Sequence, residues 1–128
     1  MNKKRFGTTA ERELIHMFWK ENIPAIRVAG SGSMRYPSPD IIAGTPLKKY
    51  AIECKAVTGE KLYIPKNEIE EFKKYCTMFG AQGFIGVRFD KNWYFLILED
   101  LRETEASFSI NTEEVRIKGL LFEDLVKF

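Results

Sequence analysis

Pro39-Asp40-Ile41-Ile42-Ala43-Gly44, followed through Thr45-Pro46-Leu47 by Lys49-Tyr50-Ala51-Ile52-Glu53-Cys54-Lys55-Ala56, reads as two strands of a hairpin. In the second strand the period of two puts Tyr50, Ile52, Cys54 and Ala56 on one face and leaves Glu53 and Lys55 together on the other. The Cα atoms of that pair stand about 6.6 to 7 Å apart, near enough for both side chains to reach one phosphate. Asp40 opens the first strand, so the hairpin brings its carboxylate beside Glu53. Two convergent carboxylates repel unless a proton or a cation intervenes. Mg²⁺ is the natural cation, because it prefers oxygen ligands and is held by one or two carboxylates with water and phosphate completing its sphere. Lys55 cannot ligate that ion while protonated. Its expected roles are to stabilise charge developing on the phosphate and to orient the attacking water. An exposed Glu-x-Lys on a strand is common, and the weight of the reading falls on Asp40 joining it.

Upstream, Thr9 to Glu21 reads as a helix: Ala10, Leu14, Ile15, Met17 and Phe18 recur at helical spacing, and Asn22 and Pro24 end it. Thr8 with Glu11 three residues later fits a capping box. At about 100° per residue Glu11 also lies within the apolar stripe, so capping and a buried role in the site compete for one carboxylate. Glu13 falls on the other side of the helix, and His16, the single histidine, is expected at the surface or an edge. Ala25 to Val28 reads as a short strand and Gly30 to Pro39 as a loop rich in glycine, serine and proline. There Ser31 and Ser33 can donate to a backbone phosphate, while Arg35 and Tyr36 offer a phosphate contact and a stacking face; a plain flexible loop accounts for the same residues.

Downstream, a second helix begins at Pro65 and is stopped by Gly80, with Glu68, Glu70 and Glu71 early and Lys73 and Lys74 later, as the helix dipole favours. Ile69, Phe72, Cys76 and Phe79 form its apolar stripe. Gly83 to Phe89 and Trp93 to Leu98 are β-rich, joined by Asp90-Lys91-Asn92, and alternate so little that both faces must be covered. A weaker strand near Ser107 to Ile110 and a short helix near Leu121 to Val126 finish the chain. The order of helix, three strands, helix and strands predicts an α/β domain with a mixed sheet.

With 128 residues, 45% hydrophobic and 30% charged, the chain suits one soluble domain with a core of its own, and disorder is excluded as the main state. No apolar run approaches the roughly 18 residues of a membrane span, and Met1 to Phe6 lacks a signal peptide's apolar stretch, so a cytoplasmic location without membrane contact is expected. Cys54 and Cys76 lack metal or redox spacing and read as small buried apolar groups. The net charge of +2 hides a lopsided distribution. Residues 1–66 carry 12 Lys and Arg against 6 Asp and Glu, net +6, whereas residues 67–128 carry 8 against 12, net −4. A first half of that sign suits an anionic partner, and a solvated basic surface suits it equally.

Ala10-Glu11-Arg12-Glu13-Leu14, Arg27-Val28-Ala29-Gly30-Ser31, Pro39-Asp40-Ile41, Ala51-Ile52-Glu53-Cys54-Lys55 and the glycine-ended second helix together resemble the archaeal-type Holliday junction resolvases, most strongly from about Phe6 to Trp93. The resemblance implies a single-domain restriction-endonuclease-like fold of α/β class, with a mixed central sheet flanked by helices. It implies a homodimer that cuts four-way DNA junctions symmetrically with Mg²⁺ or Mn²⁺ and leaves nicked duplexes with 5′-phosphate ends. Carried onto matching positions, Glu11, Asp40 and Glu53 become acidic groups of the site, the Cys54 backbone carbonyl a further ligand and Lys55 the catalytic lysine. Ser31 and Ser33 fall in the family's mobile active-site loop. Arg12 and Arg27 match its basic positions, and Lys4, Arg5 and Arg35 join them as expected DNA contacts. Phe72, Tyr75, Phe79 and Trp93 are expected to supply apolar surface for the second subunit, with a packed core as their other reading. A sliding clamp or a helicase is a further candidate partner that the sequence does not identify.

Two rival readings stay open at this point. One is a nuclease of the same fold acting on duplex, flap or single-stranded DNA. The other is a junction-binding module without catalysis, for which the combination of Asp40, Glu53 and Lys55 would have no use.

Overall fold

The structure is a computed structural model that describes residues 3–29, 36–57 and 59–127, with the side chains of residues 3–7 outside that description. Helix α1 spans Lys3–Lys20. It starts well before the expected Thr9, so Thr8 lies inside the helix and the proposed capping box with Glu11 does not form. Lys and Arg are good helix formers, and the single Gly7 costs about 1 kcal/mol relative to Ala, too little to stop propagation from Lys3. The consequence is that the Glu11 carboxylate is released for another partner. Strand β1 is Ala25–Arg27, β2 Ile41–Gly44 and β3 Lys49–Ala56. β1 and β2, and β2 and β3, pair antiparallel, with Ile41 opposite Ile52, as the hairpin reading requires.

Strand β4, Lys61–Pro65, and helix α2, Lys66–Phe79, then carry the chain across to β5, Gln82–Phe89, which runs parallel to β3. Pro65 ends the strand and serves as the N-cap of α2 at φ −56°, and Gly80 closes the helix in the left-handed region at φ 78°. β5 returns through a two-residue turn at Asp90-Lys91, both at positive φ, into β6, Asn92–Leu96. The main sheet therefore has the order β1-β2-β3-β5-β6, three antiparallel pairs and one parallel step between β3 and β5. A second sheet, β4-β8-β7, is built from β4 with β7, Arg102–Glu103, and β8, Ser107–Asn111. The pairing of these strands, β4 and β7 themselves, a 3-10 turn at Leu98–Asp100 and helix α3, Thr112–Lys118, go beyond the sequence reading, whereas β8 and α4, Phe122–Leu125, were expected. Asn111 caps α3 by accepting from the Glu114 N–H at 2.8 Å.

Both faces of the main sheet are covered. On one side Ala51, Ile85 and Val87 pack with Ile69, Phe72 and Cys76 of α2 and with Leu62, Ile64 and Ile110 of the small sheet. On the other, Tyr50, Ile52, Phe84 and Phe95 pack with Leu14 and Phe18 of α1 and Leu125 of α4. Two residues expected at a subunit surface belong to this interior: Phe72 and Trp93 are 5% and 4% exposed. Phe72 lies on the inward stripe of α2, and Trp93 stacks on Phe95 while its indole N–H donates to Glu13 at 2.9 Å. Neither has surface to give a second chain. Phe79 is 40% exposed and departs from the stripe that the spacing assigned it, and Tyr75 is half-buried. Among the described helices none is long and apolar enough to cross a membrane.

α2 approaches β5 most closely at Gly83, where a Cβ would stand 2.6 Å from the Cys76 sulfur and 3.0 Å from the Phe72 ring. Gly83→Ala should therefore cost about 1–3 kcal/mol, the usual penalty for overpacking a filled interior, and lower the melting temperature by several degrees. An unchanged melting curve would contradict this packing.

Candidate active site

Alternation along β3 sorts the site residues between two layers. Ala51 is packed among α2 side chains, so Glu53 and Lys55 face the α2 layer, while Cys54 packs with the α1 layer beside Ile52. β2 stops at Ile41, opposite Ile52, and beyond it the edge of β3 has no strand beside it. Asp40 takes over there. Its carboxylate Oδ2 accepts the Cys54 N–H at 2.8 Å, its own N–H donates to the Ile52 carbonyl at 3.1 Å, and its carbonyl accepts the Val28 N–H at 2.8 Å. An aspartate thus continues the ladder with its side chain where the main chain leaves, and is held at the open end of the sheet from three directions.

Glu53 lies within hydrogen-bonding reach of the Asp40 and Glu68 carboxyls, and its Oε1 is buried with no hydrogen-bond partner. Burial first, and then the charge of Asp40, push its carboxyl up to about 9, with Lys55 opposing only in part. Lys55 forms an ion pair with Glu68, the third residue of α2. Burial and Asp40 likewise raise Glu11, against the lowering effect of Arg27. Arg27 donates from Nε to Glu11 Oε1 at 3.1 Å. Asp40, Glu53 and Lys55 are therefore brought together, whereas Glu11 belongs to the α1 layer, where it feels Asp40 while bound to Arg27. Among the described residues no three Asp, Glu, His or Cys side chains converge as a ready ligand set.

Of the other expected contacts, Arg12 and His16 are exposed, as is Tyr36. Lys4 and Arg5 lie in the first turns of α1 with their side chains outside the described residues, and Ser31, Ser33 and Arg35 lie outside them altogether. Two residues of the neighbourhood were missed. Glu68 was read only as an acid favoured by the helix dipole; its place before the inward Ile69 was the available signal. Arg88 lines a small cleft with Glu11, Cys54, Lys55 and Trp93, and is held by Glu13 through Nε at 2.8 Å. Nothing local in the sequence marks it, because β5 reaches β3 only through the parallel crossover. A cavity of about 770 Å³ lies between α1, β6 and α4 and includes neither Asp40 nor Glu53. A polymeric substrate approaches an open edge and does not require an enclosed chamber, so the carboxylate pair is the better guide to the chemistry.

A mixed sheet flanked by helices, with two carboxylates and a lysine gathered at the open end of its central hairpin, defines a restriction-endonuclease-like nuclease domain. The sequence model of the archaeal Holliday junction resolvase family matches residues 2–128, and the chain belongs to that family. It is 38% identical to the crossover junction endodeoxyribonuclease Hjc of Archaeoglobus fulgidus over 118 residues, covering 91% of this chain and 86% of the relative. It is 33% identical to the Hjc of Sulfolobus acidocaldarius, covering 100% and 91%. The solved structure of Archaeoglobus fulgidus Hjc, a Holliday junction resolvase, superimposes with a TM-score of 0.84 at 32% identity, covering 94% of this chain and 95% of that one.

Burial of Glu53 has a measurable consequence for the metal-free protein. Its carboxyl is raised from 4.5 to about 9, so between those values the folded chain holds a proton that the unfolded chain has released. The stability this provides is complete below the unfolded value and is lost as pH rises through the folded one. In the presence of a chelator, the melting temperature should fall between pH 6 and pH 9 by amounts that Glu53→Gln, always neutral, largely abolishes; the variant should melt several degrees higher than wild type near the top of that range. A variant that melts lower throughout would contradict the buried, protonated assignment.

Proposed function

We propose that Asp40, Glu53 and Lys55 form the cleaving centre of this Holliday junction resolvase, and that Mg²⁺, with Mn²⁺ able to substitute, is held by the two carboxylates. The donor set fits a hard divalent ion. Carboxylate oxygens are its preferred ligands, and the orphaned, buried Oε1 of Glu53 is an acceptor in need of a cation. Charge supports the same reading. Among the described residues, Asp40, Glu53 and Glu68 carry three negative charges when ionised against the one positive charge of Lys55, while Glu11 and Arg27 neutralise each other. The Cys54 carbonyl is a further candidate ligand, because a residue's N–H and C=O point to the same edge of a strand and its N–H is directed at Asp40.

When bound, such an ion polarises the scissile phosphate and makes water acidic enough to attack near neutral pH. The chain's own residues supply the rest. Asp40, fixed through Cys54, sets where the ion and phosphate meet the sheet edge. Lys55 presents a full positive charge two residues beyond Glu53, on the same face, where charge builds on the phosphate during cleavage. Arg27, held by Glu11, and the exposed Arg12 are candidate contacts for neighbouring backbone phosphates, and Lys4, Arg5, Ser31 and Ser33 remain candidates for the same role.

The resolvase works as a homodimer in this reading, since paired cuts on a junction of two-fold symmetry need two sites. Its second copy is best received by the surface that Tyr36, Pro37, Lys74, Tyr75, Met78 and Phe79 line, where Tyr36, Met78 and Phe79 are exposed and the Tyr75 and Phe79 rings lie 5.4 Å apart. This revises the four-residue expectation, retaining Tyr75 and Phe79.

The carboxylate pair flanking Lys55 carries the proposal. Asp40→Asn keeps an acceptor for the Cys54 N–H but removes a charge from the ion. With Mg²⁺ it should cut a labelled four-way junction about 100-fold more slowly or worse, yet bind it within about threefold of wild type and lose that binding steeply with added salt. Cleavage near the wild-type rate would contradict the assignment, and equal cutting of a matched linear duplex would contradict junction selectivity.

A further inference from the structure

We infer that Glu68 is a positioning residue for the cleavage reaction: from the first turn of α2 it tethers the Lys55 ammonium beside Glu53. The inference rests on the assignment of Lys55 to the cleaving centre. Its observations are geometric. Lys55 and Glu68 form an ion pair in which both side chains are partly buried, at 24% and 32% exposure. Glu68 also lies within hydrogen-bonding reach of the Glu53 carboxyl, so one side chain touches both ends of the Glu53-Cys54-Lys55 segment. Its own placement is rigid, because the next residue, Ile69, is buried beneath α2 together with Phe72 and Cys76.

A favourable interaction with the helix dipole would be available to any acid in that first turn, and does not require the side chain to reach across to β3. Glu70 and Glu71, two and three residues further on, are exposed. A lysine on a four-carbon stem has many rotamers, and an ammonium that must meet a phosphate in one place gains from a fixed carboxylate behind it. The geometry also explains how Glu68 tolerates a second acid as neighbour: Lys55 lies against it. Loss of Glu68 leaves Lys55 present but free to wander.

Single-turnover cleavage of a four-way junction with saturating Mg²⁺ tests this on the full-length chain. Glu68→Ala should lower the single-turnover cleavage rate constant by about tenfold or more with junction affinity within about threefold, and Glu68→Gln, which keeps an acceptor for the ammonium, should restore most of the rate. In the Lys55→Ala background, Glu68→Ala should add less than about threefold, because a tether with nothing to hold has no effect. Wild-type rates in Glu68→Ala, faster cleavage, or full additivity in the double variant would overturn the inference. Wild-type rates in Lys55→Ala would instead overturn the site assignment on which it rests. Melting curves of the same proteins separate a lost tether from a lost fold, and if Glu68→Ala unfolds, Glu68→Ser, which is too short to reach Lys55, decides by the same rate loss.

Discussion

The hydrogen bond from the Cys54 N–H to the Asp40 carboxylate is the contact on which the geometry of the proposed site depends. β2 leaves the sheet one pair too early to cover the edge of β3, and a side-chain oxygen fills the position a main-chain carbonyl would have taken. That substitution delivers a carboxylate to the open end of a buried sheet, at a place fixed by the register of the hairpin. Glu53 follows directly after Ile52, the last residue of β3 with a paired partner on β2, so it cannot avoid Asp40. Two acids are forced together by hydrogen bonding that neither of them can escape without breaking the strand pair.

The cost of that arrangement is visible in the same residues. One Glu53 oxygen is buried without a partner, and the carboxyl retains a proton far above its ordinary range. Leaving a buried acceptor unsatisfied costs about 1–3 kcal/mol in general, which a domain of modest stability notices. The remaining structure compensates by rigidity. α2 is pinned to β5 at Gly83, where no side chain larger than hydrogen fits, and α1 is sealed by Leu14 and Phe18 at zero exposure. Between those two layers β3 has nowhere to move, and the electrostatic stress stays concentrated at its end.

The hairpin, α2 and the β5-β6 pair were legible because each is written locally, as alternation, as an apolar stripe closed by Gly80, or as apolar runs around a turn. The juxtaposition of Asp40, Glu53 and Lys55 was legible for the same reason, because two strands joined by a short turn fix their relation. Glu11 was only half legible, since a capping box and a partner across the chain gave its carboxylate equal claims until the helix proved to start at Lys3. Glu68 and Arg88 were hidden by the crossover. Which acid of α2 faces β3, and which residue of β5 lies opposite Ala56, follow from the packing of Ile69 and from a parallel register that no short stretch encodes. The small sheet was half legible for a related reason: β8 was read as a strand near Ser107 to Ile110, but its partner β4 lies far upstream, Pro65 paired with Ser107 and Lys61 with Asn111, and no local pattern marks that pairing. Aromatic content misled in the opposite direction: Phe72 and Trp93 look like surplus surface in a small chain until two layers are found to absorb them.

The central claim is that Asp40 and Glu53 together hold one divalent ion at the open end of β3. Crystals of the protein grown with Mn²⁺, measured at a wavelength where manganese scatters anomalously, test it without reference to turnover. The account predicts a peak in the anomalous difference map between the two carboxylates and next to the Cys54 carbonyl. Well-ordered Asp40 and Glu53 side chains with no peak between them, or a peak held by other acids alone, would contradict it.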